Sequence, residues 1–445
     1  MTEPSVFSSK REIGLMGYIT PQPGIGGRIK QLIEDFIVRE ITPDGKILPI
    51  NISQEIEQSN SLNGEYTEFN IVKKDWDTHR LIHKLSRRLR VSRKRISFAG
   101  TKDRRALTVQ RMSVWKIPPS KLLELRIKDV KILNPSYAKT PISLGDLWGN
   151  NFTIIIRDIS ESTVKIEQIC DLFLENIQEI GGLVNFFGHQ RFGSLRPITH
   201  LVGRSFIQGD FKKASEIFLT ATSPLESKEV TIARKELAET EDYRNAVKKF
   251  PKGYKPELAM INHLLKHPND FINAFRKISK ELRLMFVHAI QSYLFNKFLS
   301  LRVEKGLLLK PIEGDIVQTA NGSVHLFKEN RNEEESVLVA PLIGYELPLF
   351  PSGIVGDLFD ELLNEEEIKP SMFHIKSYPE ASSKGGYRPV ITPVNDFQVL
   401  NINDDPFNEN KKMLTITFSL RKGSYATILL RELMKTDLIT PIYSA

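Results

Sequence analysis

The chain opens and closes in strand-like sequence and is helical in between, and this pattern constrains its fold more than any other feature. Glu34–Ile41 alternates apolar with charged residues and meets Pro43-Asp44-Gly45, the pattern of a strand entering a turn. Glu65–Lys73 reads as the next strand, Ile96–Gly100 as a short one and Val109–Trp115 as another. Asn151–Arg157, with three consecutive isoleucines, reads as a strand buried on both faces, and a helix from about Glu161 to Ile180 stops at Gly181-Gly182. From about 182 to 388 the texture turns helical, most clearly over Thr231–Lys248 and Arg283–Arg302, with acidic clusters at Glu333–Glu335 and Glu365–Glu367. Met413–Leu420 then alternates again, and Gly423-Ser424 opens a helix to about Lys435. The two ends resemble each other and not the middle. The sequence therefore predicts a discontinuous α+β domain from residues 1–181 and 389–445, interrupted by an inserted domain over 182–388.

Charge narrows the choice of partner. Net charge over the 445 residues is +8, yet Arg80–Arg111 contains 12 lysines and arginines and one acid, Asp103. That stretch carries +11, so the remainder sums to −3. Clustered cations suit phosphates, whose counterions they release, although a solvated charged face is the other reading of a basic run. Thr78 is the expected N-cap of a helix from His79 to about Arg90. Leu81, Ile82, Leu85 and Leu89 share one side of it, and Arg80, Lys84, Arg87 and Arg88 the other.

Apolar residues at 40% and charged residues at 26% describe an ordinary globular chain of two or three domains. No apolar run approaches the roughly 20 residues of a membrane span, and Met1–Lys10 lacks a signal core. A single cysteine, Cys170, leaves no internal disulfide or multi-cysteine zinc site. These features predict a cytoplasmic protein without a membrane partner.

Several kinds of chemistry lack their signatures. Gly24-Ile25-Gly26-Gly27 has neither the spacing nor the Lys-Ser or Lys-Thr ending of a phosphate loop. No strand runs into a dinucleotide-type glycine fingerprint, which also argues against a methyltransferase. His79 and His83, four apart, would leave a metal short of ligands. Asp103 stands out instead, as a lone acid among cations just past the expected strand at Ile96–Gly100. Neighbouring cations keep such a carboxylate ionised, as a nucleophile or base requires. A carboxylate there can equally neutralise Arg104 or cap the next segment, and residue physics alone leaves both roles open.

Phe98-Ala99-Gly100-Thr101-Lys102-Asp103-Arg104-Arg105-Ala106, followed by Thr108 and Gln110, resembles the signature of the tRNA pseudouridine synthase D (TruD) family. Further blocks resemble the family in its own order. They are Glu34–Val38, Trp76-Asp77-Thr78, Gly149-Asn150-Asn151-Phe152, Asn185–Gly193, His288–Asn296 and Lys422–Thr427. The resemblance implies a pseudouridine-synthase-type mixed sheet flanked by helices, with a family-specific inserted α/β domain, the TRUD domain. It implies conversion of uridine to pseudouridine in RNA without a cofactor or metal, with tRNA as partner and position 13 of the D arm as the first target, other tRNA uridines and other RNAs being the alternatives that relatives offer. No obligate protein partner is evident.

By motif position Asp103 would be the nucleophile, acting on either the pyrimidine ring or the ribose anomeric carbon. Lys30 would pair with it and favour its ionised form. Phe36, Asn150 and Tyr425 would contact the flipped base, with Phe152 supporting the pocket. An RNA-binding protein that keeps the scaffold without chemistry is the competing class, and it would be expected to have lost Asp103. Lys84, Arg87, Arg88, Arg93, Lys94, Arg95, Lys102, Arg104 and Lys422 are the expected contacts to the RNA backbone.

Overall fold

The structure, a computed structural model, describes residues 13–50, 64–307, 309–329 and 336–436. It separates into two compact units. One holds Thr20–Leu183 together with the chain from Thr392 onward; the other holds Val184–Ile391 and the described residues up to Ile19. Residues 13–19 therefore leave the terminal domain in which the sequence places them. Their backbone carbonyls explain why: Asn296 donates to Ile13 O at 3.0 Å, and Ser300 donates to Gly14 O at 2.8 Å.

The unit built from both chain regions is organised by a nine-stranded mixed sheet. Its strands are β1 (Arg28–Ile29), β2 (Phe36–Ile41), β3 (Tyr66–Lys74), β4 (Ile96–Phe98), β5 (Leu107–Trp115), β6 (Val130–Ala138), β7 (Gly149–Ile159), β8 (Val394–Asp404) and β9 (Lys412–Arg421). The main order is β8-β9-β7-β2-β5-β3-β6, with β1 against β7 and β4 against β5. β2 and β5 are parallel, and their neighbours run antiparallel to them. β9 pairs with β7 over most of its length, so the C-terminal segment completes the sheet begun by the first third.

Helix α1 (Thr78–Leu89) buries Leu81, Ile82 and Leu85 against Phe69 and Ile71 of β3 and Met112 and Val114 of β5. Its N-cap is Asp77, one residue earlier than expected: the Asp77 carboxylate accepts from Arg80 N at 2.9 Å, which frees the Thr78 hydroxyl to face inward. Helices α2 (Thr163–Ile180) and α3 (Ala426–Met434) complete the unit's main helical elements.

A row of rings crosses the sheet. Phe173 of α2 meets Phe397, Phe397 meets Phe418, Phe418 stacks on Phe152 at 5.3 Å, and Phe152 packs edge-on against Phe36. Over Asn151–Arg157, β7 is buried throughout on one face only, since on the other its end residues Asn151 and Arg157 are buried but its centre is not. Phe152, Ile154 and Ile156 face the core, whereas Thr153 and Ile155 are half-buried, because two-residue alternation gives one strand two different surroundings.

The second unit is predominantly helical, with Lys280–Glu304 as its longest helix. A four-stranded sheet, Val324–Leu326, Ile316–Gln318, Val337–Leu342 and Gly386–Pro389 in spatial order, gives it α/β character. The single helix expected over Thr231–Lys248 is two, Lys228–Thr240 and Tyr243–Lys249, divided where Glu241 takes a left-handed backbone and Asp242 caps the next turn. Of the acidic clusters, Glu333–Glu335 lies outside the described residues. Glu366 is buried and pairs with Lys297 and Arg204. No helix among the described residues is long and apolar enough to cross a membrane.

Phe418 is fully buried and touches two rings of the aromatic row, so Phe418→Ala is expected to cost about 3–5 kcal/mol. Chemical denaturation followed by tryptophan fluorescence reads this directly; an unshifted midpoint would show that the row adds no stability.

Candidate active site

One face of the sheet carries polar side chains where its apolar pattern predicts more core. On β2, Phe36, Val38 and Glu40 share that face; on β3, Phe69, Ile71 and Lys73; on β5, Thr108, Gln110 and Met112. Register brings them together: Lys73 lies opposite Thr108, Thr108 opposite Val38, and Glu40 opposite Asn150 of β7. Glu40, Lys73, Thr108 and Gln110 are all fully buried. Buried polar groups need partners, and those of Glu40, Lys73 and Gln110 include the loop from Ala99 to Ala106.

Three of these side chains pin that loop from beneath. Gln110 donates to Gly100 O at 3.0 Å. The Lys102 ammonium meets Glu40 at 2.8 Å, with both side chains shut off from solvent. Lys73 Nζ donates to Trp76 O at 2.6 Å, Asp103 O at 2.9 Å and Lys102 O at 3.4 Å. From α1, the Thr78 hydroxyl accepts from Lys102 N at 3.2 Å. With Lys102 drawn inward, the next side chain, Asp103, turns the other way and keeps 29% of its surface open.

Lys30 reaches Asp103 from another part of the chain. Its ammonium donates to Asp103 Oδ1 at 3.0 Å and sits 3.9 Å from the centre of the Phe36 ring. The Lys30 backbone is left-handed (φ 58°), a conformation costing a non-glycine residue about 1–2 kcal/mol. The neighbouring turn holds it there. Asp35 accepts from Leu32 N at 2.7 Å and pairs with buried Arg157 at 2.8 Å, and Arg157 also pairs with Asp405 at 3.2 Å. Arg105 ties this turn back to the Asp103 loop through Gln31 O at 3.2 Å.

The remaining expected site residues fall into three groups. Asn150 is half-buried, and among the described residues its Oδ1 is a buried acceptor with no hydrogen-bond partner. Tyr425 is half-buried at the start of α3. Phe36 and Phe152 are at most 5% exposed, so neither presents a free ring face; Phe36 seats the Lys30 ammonium, and Phe152 seats Phe36. The Phe36 ring is covered by the Lys30 ammonium on one side and packs on Phe152.

Among the expected backbone contacts, Lys84, Arg87, Arg88, Arg93, Lys94, Arg104 and Lys422 are exposed. Lys102 is not one of that set: its charge is committed to Glu40 inside the fold. Arg95 is half-buried and donates to the backbone carbonyls of Trp115 and Lys116, so much of its hydrogen-bonding capacity is used. Sequence reasoning missed Glu40, Lys73 and the hydroxyl role of Thr78. A signal was present: Glu40 and Lys73 each fall on the apolar phase of an alternating strand, where a charge is out of place.

The chain matches known proteins over nearly its full length. The sequence model of the tRNA pseudouridine synthase D (TruD) family matches residues 12–433. A Methanosarcina barkeri protein named "Probable tRNA pseudouridine synthase D" is 38% identical over 448 residues, covering 96% of this chain and 98% of its own. A Methanopyrus kandleri protein of the same name is 38% identical, covering 84% of this chain and 86% of its own. A crystal structure described as a TruD protein from Methanosarcina mazei superposes with a TM-score of 0.79 at 37% identity, covering 98% of this chain and all of that one.

Burial pushes the Lys73 ammonium down to about 8, against the nearby Asp103 charge that favours it. The sign follows from linkage: between about 8 and 10.5 the unfolded chain binds more protons, so this group's destabilisation is complete below pH 8 and is relieved as pH rises. An NMR titration of the lysine Cε signals is expected to place Lys73 near 8, with assignment by loss of the signal in Lys73→Met. A midpoint at the ordinary lysine value would show that the site is wetter than its three carbonyl contacts imply.

Proposed function

The chain belongs to the tRNA pseudouridine synthase D family, and we propose that Asp103 is the nucleophile with which it isomerises a uridine of tRNA to pseudouridine. The observation that carries this assignment is the Lys30–Asp103 pair. The carboxylate has a lysine ammonium as its partner and stands on an anchored loop with its outer side open. A merely structural ion pair does not require a loop pinned from beneath by Gln110, Glu40 and Lys73.

The chemistry balances without a co-reactant. The bond from uracil N1 to ribose C1′ breaks, a bond from C5 to C1′ forms, C5 loses its proton and N1 gains one. No net oxidation occurs, so the proposed reaction uses no cofactor. Asp103 acts at the anomeric carbon or on the ring; either route requires a carboxylate and a base turned out of its stack. The free Asn150 Oδ1 suits an N–H on the uracil edge, and Tyr425 offers an aromatic side chain at the same strand ends.

Position 13 in the D arm is the target we infer, and the cytoplasm the place of action. Lys84, Arg87 and Arg88 of α1, with Arg93, Lys94, Arg104 and Lys422, would bind phosphates of the tRNA.

A tRNA transcript tritiated at uridine C5 tests the chemistry, since bond formation at C5 releases the label. Asp103→Asn keeps the shape and is expected to lower release at least about a thousandfold while RNA affinity stays within about threefold. Release at the parental rate by that variant would dismiss Asp103 as nucleophile. Replacing Lys84, Arg87 and Arg88 together by glutamine should reduce the slope of log affinity against log salt by about 2 to 3 and leave the single-turnover rate of bound RNA nearly unchanged. An unaltered slope would move the RNA off α1.

A further inference from the structure

We propose that Leu144 is an apolar wedge that enters the RNA base stack beside the uridine presented to Asp103. This rests on the function just proposed and adds to it a residue that no motif singled out. Leu144 is 80% exposed, the most exposed of the large apolar side chains among the described residues. Its neighbours Ile142 and Leu147 are buried and pack with Ala99 in a small core of their own. One leucine is thus held in water between two that are not.

The tip that carries it is anchored from both sides of the site. Gly145, with a left-handed backbone (φ 89°), donates its N–H to Ala99 O at 2.7 Å, where the Asp103 loop begins. Gly145 O accepts from Lys422 Nζ at 2.8 Å, in the turn leading to Tyr425. Asp146 N donates to Ser143 O at 3.0 Å and closes the turn, and Arg111 donates to Asp146 O at 2.6 Å. Ile142 N donates to the Ser113 hydroxyl at 2.9 Å. A loop this firmly tied does not fold its leucine away.

Its surroundings match a nucleic acid better than a protein. Lys422 reaches the residue after Leu144, Gly145, and the exposed Arg421 beside Lys422 has its guanidinium 4.2 Å from the Trp148 ring centre. Turning a base out leaves a gap in the stack, and leucine is among the side chains that fill such gaps and hold the helix open. Cations at the base of the wedge would hold the flanking phosphates.

The test uses a tRNA transcript with 2-aminopurine next to the target uridine. The parent is expected to raise its fluorescence on binding, and Leu144→Ala to abolish that rise and slow single-turnover tritium release about tenfold or more. Affinity should change less than about threefold, and the melting temperature hardly at all, because Leu144 is 80% exposed. Leu144→Met should restore both signals. A transcript with abasic neighbours, whose uridine is already unstacked, should be modified by Leu144→Ala at the parental rate. Parental behaviour of Leu144→Ala on the folded transcript, or an equal defect on both transcripts, overturns the wedge. Failure of the parent to release tritium from any tRNA removes the function beneath it and the wedge with it, a result distinguishable because the variant comparison is then never reached.

Discussion

The buried pair of Lys102 and Glu40 is the interaction on which the site depends. Both side chains are dry; Lys102 meets its counter-charge in Glu40, which the Arg111 guanidinium also approaches at 3.5 Å, and removing one partner of a buried pair typically costs about 3–5 kcal/mol. That constraint drives Lys102 into the sheet and turns Asp103 outward. A charged pair is an expensive way to hold a loop, and an apolar residue at position 102 would be easier to bury. Only a specific partner inside the fold fixes which residue of this polar loop points in. Arg111 shares Glu40, its backbone N–H donating at 3.2 Å, so the carboxylate also helps fix β5 beneath the loop.

Lys73 and Gln110 complete a floor of polar groups under Asp103. Each is one step along a buried face of its strand, so regular alternation places it without special backbone geometry. At Lys30 a left-handed backbone is held by the Asp35–Arg157–Asp405 network. Asp103 therefore rests above rigid sheet, and Lys30 on a braced turn, so the two charges are held in place by the fold itself.

The outer surface follows a different logic. The cations of α1 stay in water, while Leu144 is the reverse case, an apolar group denied a core by the loop that carries it. On the function proposed above, the phosphates and stacked bases of RNA would ask for charge and for apolar contact respectively.

Local pattern determined a good deal by itself. Two-residue alternation marked the strands of the terminal regions, the apolar stripe of α1 marked its buried side, and the crowding of charge around Asp103 marked the loop, because each of these signals is carried by neighbours in sequence. The family motifs located Asp103, Lys30 and Asn150. What alternation did not decide was whether a ring at an inward position is covered. Phe36 and Phe152 are, since Lys30 and Phe418 arrive from distant segments. Nor could a basic run show that Lys102 is an internal charge while Lys84 is an external one. That difference depends on Glu40, some 60 residues away in the chain and brought near only by the parallel pairing of β2 with β5. Sequence determined which residues have charge, ring or hydroxyl to offer; the tertiary structure decided which were already taken, because partners that satisfy a buried group come from wherever the sheet brings strands together.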